Sequence, residues 1–403
     1  MAAKDLNKIK KAMGPVGLVT PAGAQAGVRA PKPDMEWKVQ GGTARVWLGV
    51  GNKGLVRPVL LADGFNMGPT DFDWLWEGLD GDPFRFLTEL RERGQDVVLI
   101  GFDERSASIL DNARTVTEVI FRAIGERQGD QPLTVGGFSM GGLVTRYALA
   151  KLEMERMDHQ TALYLSFDSP HRGASVPISL QAIAHILAPI NDAFSAQVNS
   201  PASRQLLWRH IENADDQPRV DPLRAEFLKA LERVGGWPQR PRKIGVANGV
   251  GDGRRNGIAP GVEALRCTGP YFKDTVLYTQ AGGRDRIVAE FRGLFGEKDI
   301  TTNDFPDIDG TPGGTLDSFG ILADALKDAG EGVDVAHRIV CFVPSVSAVA
   351  VRGVETNDDL YTDIDALASS ESELDEFLCS SRATAHSAMT EQLGRWVIDR
   401  IVR

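Results

Sequence analysis

The residues best suited to chemistry in this chain lie at 137–141, which read Gly-Phe-Ser-Met-Gly. A short run of strand-forming residues at 133–135 precedes them, and apolar side chains recur at helix spacing over 143–150. Glycines two residues before and after the serine let a strand and a helix approach each other closely. Such a turn holds its central residue in a strained conformation that exposes the hydroxyl. The pattern predicts that Ser139 is a covalent nucleophile.

A serine hydroxyl is a poor nucleophile at neutral pH, so it needs an imidazole base that is oriented by a carboxylate. With a nucleophile of this kind, the base is expected beyond the last strand and shortly before the final helix. Of the six histidines, only His386 has that position. The competitor is His171, whose place just after the sixth predicted strand favours a structural or pocket-wall role.

Three aspartates are candidates for the carboxylate that orients His386. The first choice is Asp252, a few residues beyond the seventh predicted strand. The alternatives are Asp309, just before a predicted helix, and Asp168, at the end of the sixth predicted strand. All three positions are also typical of aspartates that only cap a turn, so the sequence leaves the acid open.

An acyl-transfer site also needs two backbone N–H groups that point at the developing negative charge. The first is expected from Met140, directly after the nucleophile. The second is expected from the loop at 63–68, which follows the third predicted strand, and Phe65 is our choice within it.

Strands and helices alternate through the first half of the chain. Two antiparallel strands at 37–40 and 44–48 come first, and the alternating elements are strands at 58–61, 97–100, 133–135 and 162–167 with helices at 84–93 and 107–126. This order predicts an α/β fold with a mostly parallel central sheet flanked by helices. The sheet is expected to resume at 243–247 and to end on a strand at 338–343, before a C-terminal helix.

The same patterns divide the chain into a core and additions. Residues 35–174 and 241–403 form the predicted core, and residues 1–34 a flexible N-terminal arm. Residues 175–240 are predicted to be a helical cap insertion, with an apolar stripe at Ile183, Ile186, Leu187 and Ile190. Residues 262–294 suggest extra strands with a hairpin turn at 282–285.

Composition excludes several classes of protein. The chain has 403 residues, 42% of them hydrophobic, and a net charge of −10. The absence of a long basic run argues against nucleic acid or an anionic membrane surface as the main partner. No apolar stretch approaches the length of a membrane span, and the N-terminus does not resemble a signal peptide. Three separated cysteines without metal-ligand spacing favour a reducing compartment, so we expect a cytoplasmic protein.

Three motifs give the chain a resemblance to a known group. They are ADGF at 62–65, GFSMGG at 137–142 and DSPHRG at 168–173, the last similar to the TPHRG of bacterial lipases and deacylases. The chain thus resembles the lipase-like and esterase branch of the α/β-hydrolase superfamily over roughly residues 55–175. In this branch some lipases place their acid at the position of Asp168. The departure is Asp63, where lipases usually carry histidine.

The resemblance implies an α/β-hydrolase fold, hydrolysis of an ester or thioester, and no metal or organic cofactor. Three further segments, NGVGDG, DGTPGG and FVPSVSA, look like landmarks of bacterial lipase-like hydrolases. The expected substrate is a small or lipid-like acyl compound. An acyltransferase or a cyclising thioesterase would use the same residues with another acceptor, and a non-catalytic binding protein is the remaining alternative. The oligomeric state stays open.

Overall fold

The computed structural model describes residues 29–189, 192–293 and 296–402. The predicted arm at 1–34 therefore lies outside the described residues up to position 28, as does Ile190 of the predicted stripe. The fifteen strands in the described part are β1 (Met35–Val39), β2 (Gly42–Trp47), β3 (Pro58–Ala62), β4 (Asp96–Phe102), β5 (Leu133–Phe138), β6 (Thr161–Phe167), β7 (Arg242–Ala247), β8 (Glu263–Cys267), β9 (Val276–Tyr278), β10 (Arg286–Gly293), β11 (Gly296–Thr302), β12 (Gly313–Leu316), β13 (Val333–Val335), β14 (Val340–Pro344) and β15 (Glu376–Cys379).

The α-helices of the described residues lie between these strands and at the end of the chain. They are α1 (Phe72–Asp80), α2 (Phe86–Glu92), α3 (Ile109–Glu126), α4 (Met140–Met154), α5 (Ile178–Leu187), α6 (Ala193–Val198), α7 (Pro201–Leu206), α8 (Pro222–Arg233), α9 (Ser318–Asp328), α10 (Ser345–Ala348) and α11 (Glu391–Ile401). Of these, α1 is absent from the sequence-based expectations.

Eight strands form the central sheet in the order β1-β2-β4-β3-β5-β6-β7-β15. The six strands β4, β3, β5, β6, β7 and β15 pair in parallel in this order. At the other edge, β2 pairs antiparallel with β4, and β1 pairs antiparallel with β2. The central strands β3, β4 and β5 are buried on both faces, as their largely apolar sequences favour in a parallel sheet. The predicted α/β fold class is confirmed.

Alternate residues of each strand face opposite helical layers. In β3, Val59 and Leu61 pack into the apolar cluster that holds α1, α2 and α11. Leu60 and Ala62 face the opposite layer, which holds α3 and α4. One apolar cluster therefore covers each face of the sheet, so polar side chains of a functional site can lie only at the ends of its strands.

The second half of the chain adds a separate five-stranded antiparallel sheet in the order β11-β10-β9-β8-β13. It contains the strands expected within 262–294. The helices α5 to α8 connect β6 to β7, so residues 175–240 are a helical insertion at this point of the sheet. Ile183 and Leu187 of α5 lie against Leu265 and Leu277 of the second sheet. The apolar stripe predicted for a cap is thus the core between α5 and this sheet.

The prediction that the central sheet ends on the strand at 338–343 is wrong. The strand at 338–343 is present as β14, but it pairs antiparallel with β12 in a two-stranded ladder. The central sheet instead ends on β15, which pairs in parallel with β7. β15 has only four residues and no fully apolar run, so its sequence carries no strong strand signal. Among the described residues, no helix has the length and apolar character needed to cross a membrane.

Candidate active site

Ser139 lies between β5 and α4 with a φ of 52°, in the left-handed region that non-glycine residues rarely adopt. The glycines around it are required by close packing. A Cβ on Gly137 would lie 2.4 Å from the backbone carbon of Gly141, and a Cβ on Gly141 would lie 2.3 Å from the carbonyl oxygen of Ala62. Only glycines let α4 start this close to β5 and β3, which fixes the serine at the end of the strand.

His386 and Asp168 complete a line of hydrogen bonds from Ser139. The Ser139 Oγ lies 2.7 Å from His386 Nε2, and His386 Nδ1 lies 2.6 Å from Asp168 Oδ2. A carboxylate can only accept hydrogen bonds, so this contact assigns the ring proton to Nδ1 and leaves Nε2 to accept from the serine hydroxyl. All three side chains are buried.

The Asp168 carboxylate is held by the ends of neighbouring strands. Asp168 follows β6, and its Oδ1 accepts a hydrogen bond from the backbone N–H of Asn248, which follows β7, at 3.0 Å. Its Oδ2 also accepts from the N–H of Ser387 at 3.3 Å. A Cβ on Gly314 would lie 2.1 Å from Oδ2, so only glycine leaves room for the carboxylate. The Ser387 hydroxyl itself lies 3.4 Å from His386 Nε2.

The first-choice acid, Asp252, does not contact His386. Its carboxylate accepts hydrogen bonds from the Arg254 side chain, with Nε at 2.7 Å, and these bonds lower its pKa. The second candidate, Asp309, is buried and accepts from the N–H of Gln280 at 2.8 Å. Burial raises the pKa of Asp309 to about 7. The structure therefore corrects the expected partner of His386 from Asp252 to Asp168, because β6, which Asp168 follows, lies directly beside β5 in the sheet.

The two residues expected to supply the N–H groups for an oxyanion are close in the chain or in space to Ser139, since Met140 follows it and Phe65 lines the same cavity. Met140 is the first residue of α4, and a helix cannot use its first N–H groups internally. Gly64, before Phe65, packs against the nucleophile, since a Cβ there would lie 3.3 Å from the Ser139 Cβ. Neither Phe65 nor Met140 donates its N–H to any described residue. Both groups therefore remain available for a ligand.

Asp63, which stands where lipases usually have histidine, braces this loop from inside. Its carboxylate is buried, accepts from the N–H of Gly64 at 2.7 Å and from the Thr70 hydroxyl at 2.7 Å, and lies 3.6 Å from the guanidinium of Arg105. Arg105 also donates to the carbonyls of Gly68 and Met67. Burial raises the pKa of Asp63, although the nearby Arg105 opposes the rise. The pair ties the loop to itself and to the residues after β4.

Ser139 and His386 open into a cavity of about 520 Å³. This volume is in the range that holds a small organic ligand. Its walls come from the loop after β3, from α1 and residues 81–83, and from residues 382–390, with Phe138, Leu316 and Phe342 between them. None of these lining residues belongs to 175–240. Within its described residues, the predicted cap contributes no wall to this cavity, because the apolar side chains of α5 lie against the second sheet.

His171 has the structural environment that its sequence position favours. Its Nε2 lies 2.8 Å from the Ser166 Oγ, and its Nδ1 lies 3.3 Å from the Arg146 guanidinium. The ring also packs against Trp237, with ring centroids 4.7 Å apart. Burial and the adjacent Arg146 hold the pKa of His171 well below its usual range, so this imidazole is a neutral part of the core.

Sequence reasoning missed α1, Asn248 and Ser387 as parts of the site. The helix had a readable signal. Asp71 is an N-cap whose side chain accepts from the N–H groups of Asp73 and Trp74. The residues that follow place buried apolar side chains at helical spacing: Phe72, Leu75, Trp76 and Leu79. Asn248 and Ser387 act through backbone N–H groups, for which residue type gives no signal.

One known protein family is similar to part of this chain. A protein family described as "Putative serine esterase (DUF676)" matches residues 110–200, which span α3, the serine elbow and α5. Comparison with curated proteins gave no match. Within the described residues, no group of three or more histidine, cysteine or acidic side chains is arranged to hold a metal ion.

Solved structures of low sequence identity are also similar. The mature lipase BlEst2 of Bacillus licheniformis is 14% identical, with 51% of this chain and 73% of that chain covered and a TM-score of 0.32. XC6422 of Xanthomonas campestris, described as an α/β serine hydrolase without a lid, is 20% identical, with coverages of 36% and 65% and a TM-score of 0.25. A soluble variant of the monoglyceride lipase of Saccharomyces cerevisiae is 18% identical, with coverages of 43% and 57% and a TM-score of 0.25.

The strand order and the serine elbow define an α/β-hydrolase fold, and the family match over residues 110–200 indicates an esterase-like hydrolase.

Proposed function

We propose that the protein hydrolyses a carboxylic ester or thioester through an acyl-enzyme on Ser139. The observation that carries the proposal is the unbroken line of hydrogen bonds from Ser139 through His386 to Asp168, at the edge of a largely apolar cavity. This arrangement matches the roles of nucleophile, base and orienting acid. The esterase description of the family that matches residues 110–200 supports the same chemistry.

In the acylation half-reaction, the Ser139 Oγ attacks the acyl carbon while its proton passes to His386 Nε2. The carbonyl oxygen becomes an oxyanion, and the N–H groups of Phe65 and Met140 donate to it. The bond to the leaving oxygen or sulfur then breaks, and Nε2 gives its proton to the leaving group. Asp168 keeps the proton on Nδ1 and stabilises the imidazolium.

In the deacylation half-reaction, water takes the place of the leaving group. His386 Nε2 accepts a proton from the water as its oxygen attacks the acyl carbon. The second tetrahedral intermediate collapses when the bond to the Ser139 Oγ breaks and Nε2 returns the proton to that oxygen. The products are a carboxylic acid and the free enzyme.

The test is steady-state hydrolysis of 4-nitrophenyl esters and of acyl thioesters, with product analysis in the presence and absence of an added alcohol or amine. We expect release of the free acid in both conditions. Transfer of the acyl group mainly to the added acceptor would identify an acyltransferase instead, and intramolecular closure of the acyl group would identify a cyclising thioesterase. A folded protein that hydrolyses no ester or thioester and binds no covalent inhibitor would contradict the proposal and favour the binding-protein alternative.

A further inference from the structure

We infer that the acyl chain of the substrate runs between α1 and the segment 382–390, and that Gly78 leaves the space for that chain. The inference rests on the proposed function and gives it a substrate class, esters or thioesters of apolar acyl groups longer than acetyl. It also assigns the selection of chain length to α1, which is separate from the helical insertion at 175–240.

The chemistry of the cavity wall indicates an apolar occupant. The larger apolar residues that line it are Phe65, Trp74, Leu75, Leu79, Pro83, Phe138, Leu316, Phe342 and Met389. They come from both sides of Ser139, so an acyl chain bound to the serine would have apolar contacts along its length. Among the charged lining residues, Glu77, Asp82 and Arg382 are exposed or half-buried, so solvent still reaches them. The fourth, Asp63, is buried, and its carboxylate is already bonded to Gly64 and Thr70.

Gly78 lies on the side of α1 that faces this cavity. Trp74 and Leu75 are four and three residues before it, so all three project from one side of the helix. All three line the cavity. A Cβ added to Gly78 would meet no atom within 4 Å. Gly78 is itself exposed, so the position borders open space beside the cavity that a side chain would occupy.

Glycine within a helix is less favourable than alanine, since it restricts the unfolded chain less. α1 has nine residues, so a glycine in its interior weakens a short helix. No neighbouring atom requires glycine here, and its φ is not among the positive values of the described glycines. Packing and backbone conformation thus give no reason for glycine at this position, whereas an acyl chain passing the helix does.

The test replaces Gly78 with alanine, leucine and phenylalanine and measures kcat/KM for 4-nitrophenyl acetate, butyrate, octanoate and palmitate. The ratio of kcat/KM for octanoate to that for acetate is expected to fall as the new side chain grows. The fall should be on the order of tenfold or more for leucine, since a change of one methylene in such a pocket shifts specificity by roughly 10- to 200-fold.

Gly125 in α3 provides the matched control. It also lies within a helix, an added Cβ there would also meet no atom within 4 Å, and it does not line the cavity. The Gly125→Leu enzyme should keep the wild-type ratio. Melting curves of all variants establish that the compared enzymes are folded.

Two results would overturn the inference. One is an unchanged octanoate-to-acetate ratio in folded Gly78→Leu and Gly78→Phe enzymes. The other is an equal loss on all four esters, because a blocked acyl path must penalise long chains more than acetate. Failure of the proposed function has a different signature, in which the wild-type enzyme hydrolyses none of the esters or Ser139→Ala hydrolyses them as well as the wild type does.

Discussion

Two helical regions of this molecule each carry an apolar stripe, but their surroundings differ. The insertion at 175–240 carries an apolar stripe on α5. A second apolar stripe lies on α1, the helix that follows the loop after β3. The stripe of α5 is buried against the second sheet. The stripe of α1 divides, because Phe72 and Trp76 enter the core while Trp74 and Gly78 border the cavity beside Ser139. An apolar helical face therefore indicates that something covers it, and only the fold determines whether that is protein or ligand.

The largest effect is expected from the residues that carry the chemistry, which lie on the α1 side of the molecule. Ser139→Ala and His386→Ala should each lower ester turnover by on the order of 10⁴ or more, and the double variant should be no worse, because the pair acts as a unit. Ester kinetics of the three variants measure this. The control is His185→Gln, a histidine of α5 that bonds the carbonyl of Ile211 and should leave turnover within about twofold. Additive losses in the double variant would contradict the pairing.

Replacement of the acid Asp168 should have the next largest effect. Asp168→Asn should lower kcat by roughly 10³ to 10⁴, because the amide no longer holds the proton on His386 Nδ1. Asp252→Asn, the same change at the acid first expected from the sequence, should leave kcat close to that of the wild type. Parallel kcat measurements on the two variants decide between the candidates. The reverse pattern would restore Asp252 and reject the 2.6 Å contact between His386 and Asp168 as the functional one.

A smaller effect is expected from a change at Asp63, which holds the loop between β3 and α1 in place. Asp63→Asn keeps the size of the side chain but removes the charge that faces Arg105. We expect kcat to fall about 10- to 100-fold with KM little changed, since loss of an entire oxyanion donor costs on the order of 10² to 10³. Asp80→Asn is the control, because this buried aspartate bonds Thr88 of α2 instead. A rise in KM without a fall in kcat would show that the loop serves binding alone.

The insertion should respond in stability, whereas α1 should respond in specificity. Leu187→Ala removes a buried side chain from the core between α5 and the second sheet. It should lower the free energy of unfolding by about 2–5 kcal/mol and leave the preference for acyl chain length unchanged. Urea unfolding and the ester series, run on the same variant, measure both quantities. A changed chain-length preference with normal stability would return the insertion to the role of a cap.

The smallest effect concerns Asp309, whose pKa is raised to about 7 by burial. An unfolded aspartate titrates near pH 3.9. Between about pH 4 and pH 7 the unfolded chain therefore releases a proton that the native protein retains, and the free energy of unfolding falls as the pH rises. Asp309→Asn cannot ionise and should lack this part of the decline. Unfolding curves from pH 4 to pH 8 measure it, and an identical decline in the variant would place the raised pKa elsewhere.

The sequence indicated the fold and two members of the site because their signals are local. A strand, a glycine-flanked serine and a helix lie within about twenty residues of one another, and His386 stands alone before the last helix. The acid had no such signal, since Asp252, Asp309 and Asp168 all stand at positions that are typical of aspartates in turns. Asp168 becomes distinct only when β6 is known to lie between β5 and β7, which is a property of the sheet and not of any segment.

The remaining differences have similar causes. β15 pairs with β7 across more than a hundred residues of chain, and its four residues give no periodicity to read. The role of 175–240 depended on what its apolar stripe contacts, which is the second sheet assembled from strands far along the chain. By contrast, the N-cap and the apolar spacing of α1 were present in the sequence, but the interior glycine at 78 weakened the helical pattern.

The most direct measurement is peptide-level mass spectrometry after treatment with a fluorophosphonate, which reacts with serines activated by a neighbouring base. We predict a single phosphonyl adduct on the peptide that contains Ser139 in the wild-type protein. Ser139→Ala and His386→Ala should show no adduct at the same probe concentration and time, while His185→Gln should be labelled like the wild type. An adduct on another serine, or labelling that persists in Ser139→Ala, would contradict the assignment of the nucleophile on which the proposed function rests.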